Sequence, residues 1–284
     1  MPKALNSKLQ ILLTNDDGIN ATGLQVLERI AATLAKDVWV VAPEQEQSGA
    51  GHSLTLHLPV RARKLMERRF AVSGTPTDCV LLALKEIIPN TSLRGANTTK
   101  QSSQKTRNRR AALAMTSHID LVLSGVNRGS NVGDDITYSG TVAGAMEATN
   151  LEVPAIALSQ LCDDKNPVQW QTAEHFAPDL IRTLVALGWP KGTFINLNFP
   201  ACPPAKVKGV KVCPQGKRIV NVNLTGRVDP KGRPYYWLGG ERDNTADRSG
   251  VDVDWLHKGY ITITPISMDM TDYAMMKKMA KAIT

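Results

Sequence analysis

The stretch ILLTNDDG at residues 11–18 decides the fold that this sequence predicts. Its apolar half is continuous rather than alternating, which is typical of a buried strand in a parallel sheet. Asn, Asp and Gly residues then end the strand and turn the chain. Apolar residues at helical spacing follow from Leu24 to Leu34, so the segment predicts the first strand and helix of an α/β fold with a mostly parallel sheet.

Two adjacent carboxylates, Asp16 and Asp17, come directly after this strand. We expect them at the carboxyl edge of the sheet, where open α/β sheets bind their ligands. Burying two like charges is unfavourable unless something compensates. A hard divalent cation, Mg²⁺ or Mn²⁺, would compensate, because both prefer oxygen ligands. The alternative is that one aspartate caps the next helix and the other is solvated.

The composition is that of an ordinary globular protein, with 42% hydrophobic and 21% charged residues among 284. No apolar run of about 18 residues occurs, so we expect no membrane span, and residues 1–10 carry no secretory signal. The four cysteines are dispersed without a C-x-x-C pair, which favours reduced thiols in a cytoplasmic protein. The net charge of +8 suits an anionic substrate or nucleic acid.

Two later loops carry further oxygen donors at the same predicted edge. Ser48 lies in the polar loop after the second predicted strand and is a candidate hydroxyl ligand, although Ser-Gly pairs are also common in plain turns. Asn127 follows a later strand as Asp16 follows the first, so its side-chain oxygen can complete a metal shell. Asn131, in the same loop, offers an amide donor for a phosphate oxygen.

A helix rich in small residues is predicted from about Thr141, and its start carries Ser139 and Gly140. Free backbone N–H groups and the positive end of the helix dipole make such a start an anion site. N-capping by Ser139 alone is the alternative explanation. Neither a P-loop nor a dinucleotide fingerprint occurs in the sequence.

Two more helices are predicted before residue 200. Thr75 and Asp78 fit a capping box, and that helix should run to Ile88 because Pro89 ends it. The second is predicted at residues 176–187.

Beyond Pro200 the pattern changes, since residues 207–212 and 219–224 alternate as antiparallel strands do. An amphipathic helix is predicted from about Asp272. We therefore predict a catalytic core at 9–200 and a C-terminal extension at 201–284 for oligomerisation.

Residues 90–118 differ from the rest in composition, with six Lys or Arg residues, no acidic residue and no aromatic residue. So few apolar groups predict a mobile surface insertion. A basic patch can hold nucleic acid through its phosphates. Because stacking residues are missing, single strands would have no platform, and nucleic-acid binding is the less favoured interpretation.

Four blocks of the sequence resemble the SurE family of survival-protein nucleotidases. They are TNDDG at 14–18, VVAPEQEQSGAGHSLT at 40–55, GTPTDCV at 74–80, and SGVNRGSNVGDD with YSGTVAGAME within 124–147. The blocks occur in order over most of the chain, and together they are highly specific. ITITPI at 261–266 is similar to the family's late strand.

The resemblance implies a Rossmann-like core, dimers or tetramers, and a metal-dependent phosphomonoesterase that acts on nucleoside 5′- and 3′-monophosphates, with some activity on short polyphosphate. By position, the family's metal ligands fall on Asp16, Asp17, Ser48 and Asn127, and its phosphate contacts on Asn131, Ser139, Gly140 and Thr141. Two departures are visible: the basic insertion is longer than usual, and Val251 replaces a common Thr before Asp252.

The expected chemistry follows from these residues. The cation would polarise the phosphoryl oxygens and lower the pKa of a bound water, Asp16 or Asp17 would position or deprotonate the nucleophile, and Asn131 with the helix-start amides would stabilise developing charge. Direct attack by an aspartate and attack by water both stay open. The alternatives are a haloacid-dehalogenase-like phosphatase, whose D-x-D motif is missing, and a non-catalytic regulator that is phospho-receiver-like or binds RNA through the basic insertion.

Overall fold

A nine-stranded sheet forms the centre of the computed structural model, which describes residues 9–95, 118–163, 166–220, 223–239, 242–246 and 248–283. In chain order the strands are β1 Gln10–Thr14, β2 Asp37–Pro43, β3 Ala62–Met66, β4 Arg69–Val72, β5 Leu121–Arg128, β6 Ala155–Gln160, β7 Thr193–Phe199, β8 Val210–Val212, β9 Arg218–Val220, β10 Asn223–Val228, β11 Pro234–Gly239, β12 Arg242–Ala246 and β13 Ile261–Ser267. The order in the sheet is β3-β4-β2-β1-β5-β6-β7-β13-β8. Strands β4, β2, β1, β5, β6 and β7 run parallel, whereas β13 is antiparallel to β7. The predicted α/β fold with a mostly parallel sheet is confirmed.

Helices cover both faces of this sheet. They are α1 Thr22–Ala32, α2 Pro76–Leu82, α3 Ile88–Gly95, α4 Gly140–Asn150, α5 Trp170–Leu187, α6 Asp252–His257 and α7 Tyr273–Ile283. Helices α1 and α5 pack with Ile11 and Leu13 on one face. Helices α2 and α4 pack with Leu12 on the other. Because β1 is buried from both sides, its sequence is apolar without alternation.

The predicted end of the helix at Pro89 is wrong, although the capping box at its start is confirmed. Thr75 accepts from Asp78 N while the Asp78 carboxylate accepts from Thr75 N. After α2 the chain continues through a π-helical turn, Ala83–Ile87, into α3. Pro89 is the second residue of α3, a first-turn position where a missing N–H leaves no helical bond unmade.

Two other boundaries also differ from the prediction. Helix α5 begins at Trp170, six residues before the predicted start at 176, because Trp170 already packs against the core. The stretch predicted as an antiparallel strand at 207–212 forms only β8, which pairs in parallel with β13. The hairpin of β3 and β4 was not predicted, since β3 is largely exposed and rich in charge.

The C-terminal part of the chain contributes both to the sheet and to separate elements. Strands β8 and β13 complete the main sheet, while β10 pairs with β11 and β9 pairs with β12. The division at residue 200 therefore stays a prediction. Residues 96–117, most of the predicted basic insertion, lie outside the described residues. Among the helices described, none has the length and apolar character needed to cross a membrane.

Gly23 sets how closely α1 approaches β5. A Cβ added there would lie 1.9 Å from the carbonyl oxygen of Val126 and 3.2 Å from the Trp170 ring. We expect Gly23→Ala to lower the free energy of unfolding by about 1–3 kcal/mol, because backbone must move to admit the methyl group. Urea denaturation measures the change. Gly226→Ala is the control, since its Cβ would meet only a Tyr236 ring atom at 3.5 Å, and a change within about 0.5 kcal/mol is expected there. Equal effects in the two variants would contradict the prediction.

Candidate active site

The loops after β1, β2 and β5 meet the start of α4 at the carboxyl edge of the sheet. Gln47 N, in the loop after β2, donates to the main-chain oxygen of Asp16 at 2.8 Å. Arg128 N, at the end of β5, donates to Asp17 Oδ2 at 3.3 Å. The hydroxyl of Thr141 in α4 donates to Asp16 Oδ1. Residues from three other segments of the chain thus hydrogen-bond to Asp16 and Asp17.

Asp16 is buried against the first turn of α4, with 5% of its surface exposed. A Cβ added to Gly140 would lie 2.7 Å from Asp16 Cβ and 3.0 Å from Oδ2, so only glycine permits this approach. Burial raises the pKa of Asp16, although the hydrogen bond from Thr141 opposes the rise. The carboxylate therefore lies directly beside the helix end that the sequence predicts as an anion site.

The second carboxylate, Asp17, is less buried than Asp16, but the charge of Asp16 destabilises its ionised form. Burial is the main cause that raises its pKa to about 6, and the charge of Asp16 adds to the shift. The N–H of Arg128 works in the opposite direction, while the charge of Glu46 raises the pKa further. Two desolvated carboxylates side by side create a strong demand for positive charge.

Ser48 supplies a neutral oxygen from the loop after β2, whereas Asn127 supplies one from within β5, so the prediction that Asn127 follows its strand is wrong. Ser48 Oγ donates to Glu46 Oε1 at 2.7 Å, which leaves its lone pairs as acceptors. Asn127 Nδ2 donates to Gly129 O at 2.9 Å, and this fixes the plane of the amide and leaves Oδ1 as its acceptor atom. Two contacts anchor the loop that carries Ser48. Gly51 N donates to Tyr138 O at 3.2 Å, and His52 Nε2 lies 3.0 Å from Glu147 Oε2.

The donor set fits a hard divalent cation. Among the described residues, no group of three or more His, Cys, Asp or Glu side chains is arranged to hold a metal. A cation here would be held by Asp16 and Asp17 together with the neutral oxygens of Ser48 and Asn127. Mg²⁺ and Mn²⁺ suit such a set, because both accept a few carboxylates and complete their shell with water and phosphate oxygens. The raised pKa values of the two aspartates mark the position where such a charge is needed.

The start of α4 offers amides beside this pair. Ser139 is the N-cap, and its Oγ accepts a hydrogen bond from Val142 N at 3.0 Å. N-capping by Ser139 is therefore confirmed, and it uses only a lone pair of the hydroxyl oxygen. The hydroxyl hydrogen of Ser139 and the first-turn N–H groups of Gly140 and Thr141 are not used within the helix. The N–H of Thr141 hydrogen-bonds to the Asp16 carboxylate, and the N–H of Gly140 and the Ser139 hydroxyl lie at the same positive helix end.

Asn131 is held in a buried amide network. Its Nδ2 donates to Ser159 Oγ at 2.8 Å, which leaves one amide hydrogen for another partner. Its main-chain N–H donates to Asn198 Oδ1 at 2.9 Å. Asn196 and Asn198 both donate to its main-chain oxygen, at 2.7 and 3.1 Å. The sequence did not lead us to predict a role for Asn196 and Asn198. The available sign was a pair of asparagines two positions apart in an otherwise apolar strand.

Comparison with known proteins identifies the family of this chain. The family model of survival protein SurE matches residues 11–108 and 106–222. This chain belongs to the SurE family. The SurE resemblance that the four sequence blocks indicated is thereby confirmed.

Relatives in the SurE family are similar over almost their whole length. A protein named 5′-nucleotidase SurE from Paramagnetospirillum magneticum is 48% identical over 281 residues, covering 99% of this chain and 98% of the relative. One with the same name from Parvibaculum lavamentivorans is 46% identical, covering 100% and 92%. The crystal structure of the SurE protein from Aquifex aeolicus superposes with a TM-score of 0.75 at 34% identity, covering 97% of this chain and 100% of that one.

The raised pKa of Asp17 predicts a pH-dependent stability. In a chelating buffer, the wild type should lose stability relative to Asp17→Asn as the pH rises from about 4 to about 6, and the difference should then stay level. The reason is that a carboxyl whose pKa is raised on folding opposes folding once it ionises. Urea denaturation at several pH values measures the difference.

Asp254→Asn is the control for this measurement, because hydrogen bonds from Gly250 N and Lys258 lower the pKa of Asp254. Its ionisation favours folding, and that contribution is lost only below about pH 4, so the difference between wild type and Asp254→Asn should stay level from pH 4 to 6. Adding Mn²⁺ at pH 7.5 should stabilise the wild type more than Asp17→Asn. A pH-independent difference for Asp17→Asn would contradict the assignment.

Proposed function

We propose that this protein is a 5′-nucleotidase that uses a divalent cation, Mg²⁺ or Mn²⁺, to hydrolyse nucleoside monophosphates to nucleoside and phosphate. The relatives named 5′-nucleotidase SurE support the activity. One observation carries the chemistry: Asp16 accepts a hydrogen bond from Thr141 and contacts Gly140, so the carboxylate pair and the helix start share one boundary. A phosphate group in that place would face a cation on one side and amides on the other.

The two aspartates would hold the cation and position the nucleophile. When bound, the cation would supply Lewis-acid polarisation of the phosphoryl group and a more acidic water. The hydroxyl of Thr141 orients the Asp16 carboxylate. The side chain of Asp16 has little room to rotate, because Gly140 packs against it. Asp17 would accept a proton or a hydrogen bond from the attacking group. Attack by water and direct attack by an aspartate both agree with this arrangement.

Charge that develops on the phosphoryl oxygens would be stabilised by donors of this chain. We assign that role to the N–H groups of Gly140 and Thr141, the hydroxyl of Ser139 and the remaining amide hydrogen of Asn131. These donors are fixed before substrate binds, since Ser139 caps α4 and Ser159 orients the Asn131 amide. Preorganised donors of this kind lower the barrier without reorganisation during the reaction.

The finer expectations belong to the same proposal. We include 3′-monophosphates and short-chain polyphosphate among the substrates and place the enzyme in the cytoplasm, where the four free cysteines would stay reduced. The C-terminal extension at 201–284 would assemble a homodimer or homotetramer. Its exposed apolar groups support this role: Tyr235, Tyr236 and Trp237 on β11, and Tyr273, Met275, Met276, Met279 and Ile283 on α7.

Hydrolysis of AMP and GMP tests the proposal. We expect phosphate release that a chelator abolishes and Mn²⁺ or Mg²⁺ restores. Asp16→Asn should reduce turnover by at least about 10³-fold while the folded state persists, because the cation loses an ionised ligand. A colorimetric phosphate assay with circular dichroism measures both properties. Asp179→Asn, an exposed pair with Arg182 on α5, is the control and should keep full activity.

Metal-dependent activity retained in Asp16→Asn would refute the role of this residue. A wild type that binds nucleotide or RNA without releasing phosphate would favour the non-catalytic regulator instead. Deletion of residues 96–117 separates the roles: loss of salt-sensitive RNA binding without loss of hydrolysis would show that both exist.

The exposed aromatic group on β11 tests the assembly. Trp237 is 65% exposed, and Trp237→Glu should shift the oligomer toward monomer, because a charge would be placed in an apolar contact. Light scattering coupled to size-exclusion chromatography measures the mass. Lys231→Glu, in the turn of the same hairpin, is the matched control. A wild type that elutes as a monomer would contradict the proposed assembly.

A further inference from the structure

The loop at residues 129–137, here called the substrate loop, is hydrogen-bonded by side chains of the C-terminal extension. It carries Asn131 and leads into the N-cap Ser139. Gly133 N donates to Asp252 Oδ2 at 2.9 Å, across 119 positions of sequence. Gln215 Nε2 donates to Gly133 O at 2.9 Å, across 82 positions. Both main-chain polar groups of one loop residue are therefore bound by side chains of the extension.

Asp252 is the centre of this contact. It is fully buried at the start of α6. While Oδ2 accepts from the substrate loop, Oδ1 accepts from Gly216 N at 2.7 Å and from Val253 N at 2.8 Å. One carboxylate thus joins three segments of backbone, and all three N–H groups would lose their partner together if it were removed.

A second link runs through Arg218 on β9, whose surface is 3% exposed. Its Nη1 lies 2.8 Å from Asp135 Oδ2, and its Nη2 donates to Ser130 Oγ at 3.2 Å. The main-chain oxygen of Asp135 accepts from both Tyr138 N and Ser139 N at 3.0 Å. The ion pair therefore fixes Asp135, whose main-chain oxygen binds the N-cap residue Ser139. In this way it also fixes the orientation of the amides at the start of α4.

The contact is too close to be incidental. Gly133 has a φ of +57°, and an added Cβ would lie 3.1 Å from Arg218 N and 3.3 Å from Val253 Cγ2. The extension lies directly on the backbone of the substrate loop, where a side chain would hold the two apart. From the other side, Asn196 and Asn198 bind the main chain of Asn131. The loop is fixed between the core and the extension.

We propose that Asp252 and Arg218 are positioning residues of the phosphate site, so that the C-terminal extension is part of the catalytic unit as well as of the assembly. Neither residue belongs to the sets assigned above to cation or substrate. They act through Gly133 and Asp135, which set the places of Asn131 and Ser139. The proposal rests on the proposed phosphatase function of that same site.

Asp252→Asn tests the first link with little change in shape. The amide can keep one oxygen toward Gly216 N and Val253 N, but its NH₂ group then faces the N–H of Gly133. We expect kcat/KM for AMP to fall by about 10- to 100-fold, since small displacements of positioning groups have effects of this size. The fall should come mainly from KM, and the inhibition constant of inorganic phosphate should rise in parallel. The Mn²⁺ concentration for half-activity should change less than twofold.

Asp254→Asn is the matched control. Asp254 lies on the same helix and accepts from Gly250 N and Lys258 Nζ, both within the extension. We expect its KM, phosphate inhibition and Mn²⁺ dependence to equal those of the wild type. A general loosening of α6 would move both variants alike, whereas loss of the substrate-loop contact moves only Asp252→Asn.

Arg218→Lys and Arg218→Met test the second link. Lysine keeps a positive charge for Asp135 but cannot serve Asp135 and Ser130 with one planar group, so an intermediate KM is expected. Methionine removes the positive charge that Arg218 places beside Asp135, so the larger increase in KM is expected for Arg218→Met. If Asp252→Asn does not fold, Gln215→Leu replaces it, because this half-buried side chain loses only the bond to Gly133 O. A KM increase of at least about threefold is then expected.

The proposal is overturned if Asp252→Asn, or Gln215→Leu in its place, and Arg218→Met fold and show KM and phosphate inhibition within twofold of the wild type. It is also overturned if Asp254→Asn shows the same losses. An inactive wild type would contradict the proposed function instead. In that case calorimetry with inorganic phosphate and Mn²⁺ still decides the positioning role, because weaker phosphate binding in Asp252→Asn alone would support it and equal binding would refute it.

Discussion

The burial of two adjacent carboxylates is the constraint on which the rest of this structure depends. Asp16 and Asp17 follow β1, which lies near the middle of the sheet with helices on both faces. Asp16 is buried and Asp17 is half-buried, so solvent cannot stabilise their charges fully. Their raised pKa values express that cost. Thr141 donates to Asp16 and Arg128 N donates to Asp17, whereas the charge of Glu46 raises both pKa values further.

The donors themselves need support, because a polar loop that is partly buried must satisfy its own backbone groups. The core does this from inside, where Asn196 and Asn198 take both main-chain groups of Asn131. The extension does it from outside through Asp252 and Gln215 on Gly133. The proposed phosphate side of the site is therefore held in place by residues outside the proposed set of phosphate contacts. Core and extension act there as one packed unit.

Much of the fold and of the candidate site follows from local patterns. The continuous apolar run at 11–13 predicts a buried parallel strand because both faces of the sheet are covered. Thr75 and Asp78 predict a capping box because the two partners are three residues apart. Pro89 misled because the π turn just before it places it in the first turn of a new helix, which the spacing of apolar residues does not reveal. The early start of α5 likewise depends on Trp170 packing against the core, which no spacing reveals.

By itself, the sequence determined the α/β class, the order of its main elements, the family and the residues that carry oxygen and amide donors. These features depend on periodicity, on caps and on motifs, all of which lie within a few neighbouring positions. Only the tertiary structure decided that Asn131 is held by β7 and that Gly133 is held by Asp252, because those hydrogen bonds join residues 67 and 119 positions apart. An isolated asparagine or aspartate gives no local sign of the backbone group that it binds.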